Sequence, residues 1–211
     1  MFRMMKAGLV VATAVAIAAC GSTTFKSTWS APDAGQLTLE PGEKMIAMVV
    51  SGDEAKRRGF ETALVNELNQ HGVEALAAST VVPADAGHDA SKAKPYIEKT
   101  GAKYALVVQV TGQSKEVSST PTMGGMGMYG GRRGFYGGGW GGYGWGWGGS
   151  EIRTDTLVGV ETLLYDLAND KLVWAGQSET MNPSKAESFM KDLLNAVGDE
   201  LQKDGLIAPA K

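Results

Sequence analysis

The sequence KMIAMVV at residues 44–50 is a short apolar run closed by Ser51-Gly52, and it predicts a buried strand. Ser51 and Glu54 then stand at capping-box spacing, three residues apart, where each can satisfy a free N–H at a helix start. Phe60, Leu64 and Leu68 recur every fourth residue with Ala63 beside them, one face of a helix that Gly72 would stop. Residues 73–79 (VEALAAS) read as a second strand, 83–91 as a loop, and 93–100 as a short helix with Pro95 in its first turn and Gly101 at its end. KYALVVQV at 103–110 is the strongest strand signal, and it can run on to Val117.

The pattern breaks there and resumes at Thr154. Thr156, Val158, Val160, Thr162 and Leu164 alternate along one face, Asn169-Asp170 can turn the chain, and a second alternating run from Leu172 to Ser178 completes a hairpin. Ser184 and Glu187 repeat the capping-box spacing. Phe189, Leu193, Val197 and Leu201 then line a last helix face, with Ala186 and Leu194 beside it and Gly205 at its end. The fold class this predicts is α/β (α+β). Its mixed sheet is ordered β-α-β-α-β and then a β-hairpin and a C-terminal helix, parallel in the first half and antiparallel in the second.

The break is a glycine-aromatic tract. Residues 123–149 hold 15 glycines and seven aromatic rings. Ordering glycine backbone costs more than ordering any other residue, and so few rings cannot offset it. Residues 121–150 therefore read as a mobile, disordered insertion within a domain spanning 44–207, between strands at about 104–117 and 152–166.

Residues 1–19 differ from everything downstream. Arg3 and Lys6 precede an apolar stretch, Ala7 to Ala19, which at 13 residues is too short to span a bilayer and fits a signal peptide. Ile17-Ala18-Ala19-Cys20 resembles the bacterial lipobox, in which small residues admit the peptidase and the thiol receives a diacylglyceryl group. Cys20 is the chain's single cysteine, so no intramolecular disulfide can form. Two or three acyl chains would make a stable anchor. Residues 20–43, polar and turn-rich, read as a lipidated terminus and tether. Glycine rather than aspartate at position 21 implies, by resemblance to sorting signals, delivery to an outer membrane.

Removal of the signal takes Arg3 and Lys6 with it, leaving 18 basic against 23 acidic side chains and a net charge of −5. That balance gives no electrostatic footprint for nucleic acid. Arg132-Arg133-Gly134-Phe135 resembles an RGG-type RNA-binding segment, but an exported protein meets no RNA there.

Catalytic signals are sparse. There is no G-x-S-x-G, H-E-x-x-H or C-x-x-C, and the glycine tract lacks the lysine and hydroxyl of a phosphate-binding loop. His71 falls at a helix end, where an imidazolium can meet the last carbonyls. Asp85, His88 and Asp89 could contact a metal, but no further histidine or cysteine completes such a site. The expectation is no catalytic residue, no metal and no cofactor.

Lipobox, β-α-β-α-β half, and the hairpin YDLANDKLVWAG before an amphipathic helix together resemble a group of envelope lipoproteins. The group includes the curli-secretion lipoprotein, the penicillin-binding-protein activator LpoB and the amino-terminal domain of TolB. Bacterial lipoproteins of unassigned role with a glycine-aromatic segment between these strands are similar too. The group's hairpin reads Y-D-x-x-x-G-K-L-V-W. Tyr165, Asp166, Lys171, Leu172, Val173 and Trp174 match it, whereas Asn169-Asp170 stands where the turn glycine would be. The resemblance implies a non-enzymatic periplasmic domain that docks on an envelope machine.

The expected role is thus a lipid-anchored outer-membrane lipoprotein, facing the periplasm, that serves as an accessory, binding or assembly factor. Cys20 is the lipidation site and the membrane the first partner. Arg132, Arg133, Tyr136, Trp140, Tyr143, Trp145 and Trp147 are the candidate binding residues, toward an envelope protein, a bilayer interface or a second copy. Alternatives are a structural protein that self-associates through the tract, a tract with no role, and a hydrolase or metal-binding protein.

Overall fold

The computed structural model describes residues 23–40, 42–87, 89–116, 155–181, 183 and 185–208, with backbone alone for 114–116 and 155. Ten elements follow in order: β1 (Thr23–Ser30), β2 (Lys44–Val50), α1 (Glu54–Gln70), β3 (Glu74–Ala77), α2 (Ala78–Val81), α3 (Ala90–Glu98), β4 (Ala102–Glu116), β5 (Asp155–Asp166), β6 (Lys171–Met181) and α4 (Ala186–Lys203). The strands form one mixed sheet ordered β1-β6-β5-β4-β2-β3. β2 runs parallel to β3 and β4, and the pairs β4–β5, β5–β6 and β6–β1 are antiparallel. The fold class is the α/β arrangement that the periodicity implies.

Alternation along the strands splits the core in two. Met45, Ala47, Val49, Leu106, Val160 and Leu164 face α1 and α4. Ile46, Met48, Val50, Val107 and Leu163 share the other layer with Ala78 of α2 and with Ala93 and Ile97 of α3. Leu64 and Leu193 are fully buried, as their helical spacing implies, and Phe60 meets Phe189 edge-on with ring centroids 6.0 Å apart.

Residues 23–30 correct the sequence reading, for they are a sheet strand rather than part of a tether. β1 pairs with β6 from Thr23↔Thr180 to Ser30↔Trp174. Phe25 lies over Gly176 and packs edge-on against Trp174, centroids 5.6 Å apart. A Cβ at Gly176 would stand 2.4 Å from the Phe25 ring and 2.5 Å from that of Trp174. Gly176→Ala should therefore destabilise by about 1–3 kcal/mol, since the fully buried Trp174 ring cannot give way and the half-buried Phe25 ring on the edge strand must move. Urea unfolding measures this, and a loss below about 0.5 kcal/mol would mean that β1 detaches freely.

Four local readings also change. The N-cap of α1 is Asp53, whose carboxylate accepts from the N–H groups of Ala55 and Lys56, while Ser51 bonds to the backbone of Asp53, so there is no Ser51–Glu54 box. Lys185 caps α4 without a side-chain bond, and Ser184 lies outside the described residues. The second strand stops at Ala77 and turns into α2. α3 starts at Ala90, so Pro95 sits inside it rather than in its first turn, with Asp89 as cap.

Asp170 explains the departure from the hairpin motif. It takes the glycine's place with φ of 47°, a left-handed conformation that aspartate tolerates better than most residues. The turn is tied by Asp166, which accepts from both the backbone and side-chain nitrogens of Asn169 at 3.1 and 2.8 Å.

Candidate functional site

Register fixes what lies at each end of the sheet. Thr23, Thr180, Val158 and Gln113 stand in one row across β1, β6, β5 and β4. With strands ~4.8 Å apart, Thr23 is roughly 10 Å from β5 and 14 Å from β4. The last pair of the β4–β5 ladder, Glu116↔Asp155, lies three residues beyond that row. Both chain ends that flank residues 117–154 thus leave the sheet beside the start of β1. Thr23 follows Cys20 by three positions. We call this the anchor end. The Thr23 and Thr180 hydroxyls, both buried, hydrogen-bond at 2.8 Å and pin the first residue of β1.

Cys20 itself and the tract residues Arg132, Arg133, Tyr136, Trp140, Tyr143, Trp145 and Trp147 lie outside the described residues, as does His88. Asp85 is exposed. The Asp89 carboxylate accepts from the backbone N–H groups of Ser91 and Lys92 and from the Ser91 hydroxyl at 2.6 Å. Those bonds, the hydroxyl's first, hold its pKa below the usual carboxylate value. All three bonds end on Oδ1, which thereby caps the start of α3. Among the described residues no three His, Cys, Asp or Glu side chains are grouped to hold an ion. His71 caps α1 through its backbone N–H, while its Nε2 sits 3.5 Å from Glu67. Among the described residues no helix is long and apolar enough to cross a membrane.

The opposite end of the sheet holds a cavity of about 530 Å³. Met45, Tyr104, Leu106 and Leu164 form its floor, six residues along β5 from the Thr23 row, roughly 20 Å away. Leu68 and Val73 wall one side and the last turns of α4 the other, with Leu37 and Leu39 across the top. Those two leucines belong to a strap, residues 31–43, that is held at several points. Asp33 pairs with Lys171, the Leu37 N–H donates to the Leu206 carbonyl at 2.7 Å, and Lys103 Nζ reaches the Thr38 carbonyl and Glu43, both at 2.9 Å. Sequence reasoning missed this site. Leu37 and Leu39 fall in the polar, turn-rich stretch that reads as a tether, and the one signal in the sequence is Gly198, a glycine inside an otherwise strong helical pattern.

No family model matches the chain, and no curated protein does. Solved structures give distant likenesses. A PelC dodecamer from Paraburkholderia phytofirmans aligns at TM-score 0.46 and 15% identity, over 83% of this chain and 94% of that one. A single-residue variant of the same protein aligns at 0.47 and 15%, over 81% and 94%. Lipoprotein GNA1162 from Neisseria meningitidis aligns at 0.41 and 15%, over 76% and 99%. At such scores and identities no function passes to this chain.

Proposed function

We propose that the protein is a lipid-anchored outer-membrane lipoprotein whose domain faces the periplasm and serves as a non-enzymatic binding or assembly factor at the membrane surface. The observation that carries this reading is the anchor end. A lipidated Cys20, three residues before Thr23, would hold that end against the bilayer, and both flanks of the glycine-aromatic tract leave the sheet there. Trp140, Trp145 and Trp147 are then delivered to the depth where indole rings are favoured, and Arg132 and Arg133 to the level of anionic headgroups.

Two measurements test it. Cys20→Ala should shift the protein from the membrane fraction to unprocessed precursor, and mass spectrometry of the wild type should show an acylated Cys20. An unmodified terminus further downstream would refute the anchor. Intrinsic fluorescence reports on the tract, because it holds three of the five tryptophans. Vesicles containing anionic lipid should shift the emission to the blue, and deletion of residues 121–149 should abolish that shift. A blue shift driven by protein concentration alone would favour the self-associating alternative, and no shift under either condition would leave the tract without this role.

A further inference from the structure

We infer that the cavity at the far end of the sheet is a binding site for one aliphatic chain of an amphiphile with an uncharged or cationic head. Its described lining is mostly leucine, with isoleucine, valine and methionine, and its rings are the Tyr104 phenol on the floor and the His71 imidazole at the rim. Branched aliphatic walls suit a flexible alkyl chain better than a flat aromatic ligand, which would call for stacking partners. The volume of about 530 Å³ is within the range of small-molecule sites. It would take roughly 20 non-hydrogen atoms, on the proportion set by a cavity of about 150 Å³ that accepts benzene.

Gly198 is the second observation, independent of volume. It lies within α4, on the stripe formed with Leu194 and Leu201, and it lines the cavity. Glycine inside a helix is destabilising relative to alanine, so it usually marks a close approach of another group. Here nothing lies within 4 Å of where its Cβ would be, and its φ is not positive. Neither backbone geometry nor packing calls for glycine at this position; the same holds for Gly59 in α1, but of the two only Gly198 lines the cavity, where its missing side chain leaves space open.

The rim sets the head group. Asn195, Asp199 and Gln202 project from α4 and His71 from the end of α1, beside Glu67. Amides and an imidazole can hydrogen-bond an uncharged ester, amide or sugar head. The carboxylate of Asp199, with that of Glu67 just behind His71, attracts a cationic head and repels a fatty-acid carboxylate, while the Lys103 ammonium beside Tyr104 is already paired with Glu43.

Three C12 probes of matched chain test this below their micelle concentrations at pH 8: dodecyl maltoside, dodecyltrimethylammonium and dodecanoate. Titration calorimetry on the purified full chain should show one site for the first two and at least tenfold weaker binding of dodecanoate. Gly198→Leu should raise the dissociation constant of the first two at least tenfold while leaving the melting temperature unchanged or higher, because leucine favours a helix. Gly198→Met serves as a second filling variant should the leucine disturb folding. No saturable binding of any probe, or equal binding by wild type and a folded filling variant, would overturn the assignment. Equal affinity for all three heads would overturn the role given to the rim.

Discussion

Trp174→Ala should cost about 3–5 kcal/mol, the range for truncating a fully buried aromatic side chain. Trp174 has no exposed surface. It joins three parts of the molecule that are far apart in sequence. Its ring meets Phe25 of β1, its backbone belongs to β6, and its Nε1–H donates to Asp204 Oδ2 at 2.9 Å, just past the end of α4. The same carboxylate oxygen accepts from the Ser30 hydroxyl at 3.0 Å. Trp174→Phe keeps most of the ring burial but loses the indole bond and part of the buried ring, so it should cost about 1–3 kcal/mol, less than alanine. Equilibrium urea unfolding of the two variants separates packing from hydrogen bonding. Similar losses in both would assign the stabilisation to the Asp204 bond and sink the packing account.

Glu61→Ala should cost a similar amount, about 2–5 kcal/mol, for a different reason. Glu61 is a fully buried acid on α1 whose two oxygens each accept one backbone N–H, Val49 at 3.2 Å and Ser79 at 2.8 Å. Both donors need it. β3 is paired with β2 only as far as Ala47↔Ala77, which leaves Val49 beyond the end of that ladder. Ser79 lies in the first turn of α2, where helix N–H groups have no partner within the helix. Alanine would strand one buried donor, that of Val49, at about 1–3 kcal/mol, and one half-buried donor, that of Ser79, at the lower end of that range, besides the lost packing of the side chain. Glu61→Gln keeps one acceptor and should fall between alanine and wild type. If alanine costs less than about 1 kcal/mol, water must be reaching both donors and the junction of β2, α1 and α2 is open.

Most of the sheet was legible because its residues obey one period at a time. The apolar stripes of α1 and α4 and the alternation in β5 and β6 needed only the chain's own spacing. β1 was not legible, and its bulge is the reason. Phe25 and Trp29 are four apart and would share one face of a regular strand. The register slips between Phe25 and Ser27, so Phe25 joins the core layer with α1 and α4 while Trp29 joins the opposite one. Two large side chains on opposite faces, set among Thr, Ser and Lys, resemble a polar linker. The helix caps were misplaced for a related reason. Ser51 and Asp53 are both good caps, and the choice depends on the path taken by the chain after β2.

The candidate site was less legible than the fold. The reading of Cys20 rests on a local motif outside the described residues, whereas the meeting of β1 with the flanks of the tract depends on β1 pairing with β6. The cavity depends on the strap 31–43 crossing from β1 to β2, and nothing in its leucines announces that path. Gly198 was visible as an anomaly, but only the surrounding walls give it meaning.

The pairing of β1 with β6 also bears on when the domain can complete itself. Thr23 and Thr180 are 157 residues apart, so the ladder closes one of the longest loops available to the chain. A polypeptide exported amino terminus first presents β1 long before β6 exists. A lipidated Cys20 would thus spend that interval tethered beside an unpaired strand, and β1 can enter the sheet only after almost the whole chain has crossed. Were the chain exported and lipidated in this way, its folding would end where translocation began, with β1 as the last piece set in place.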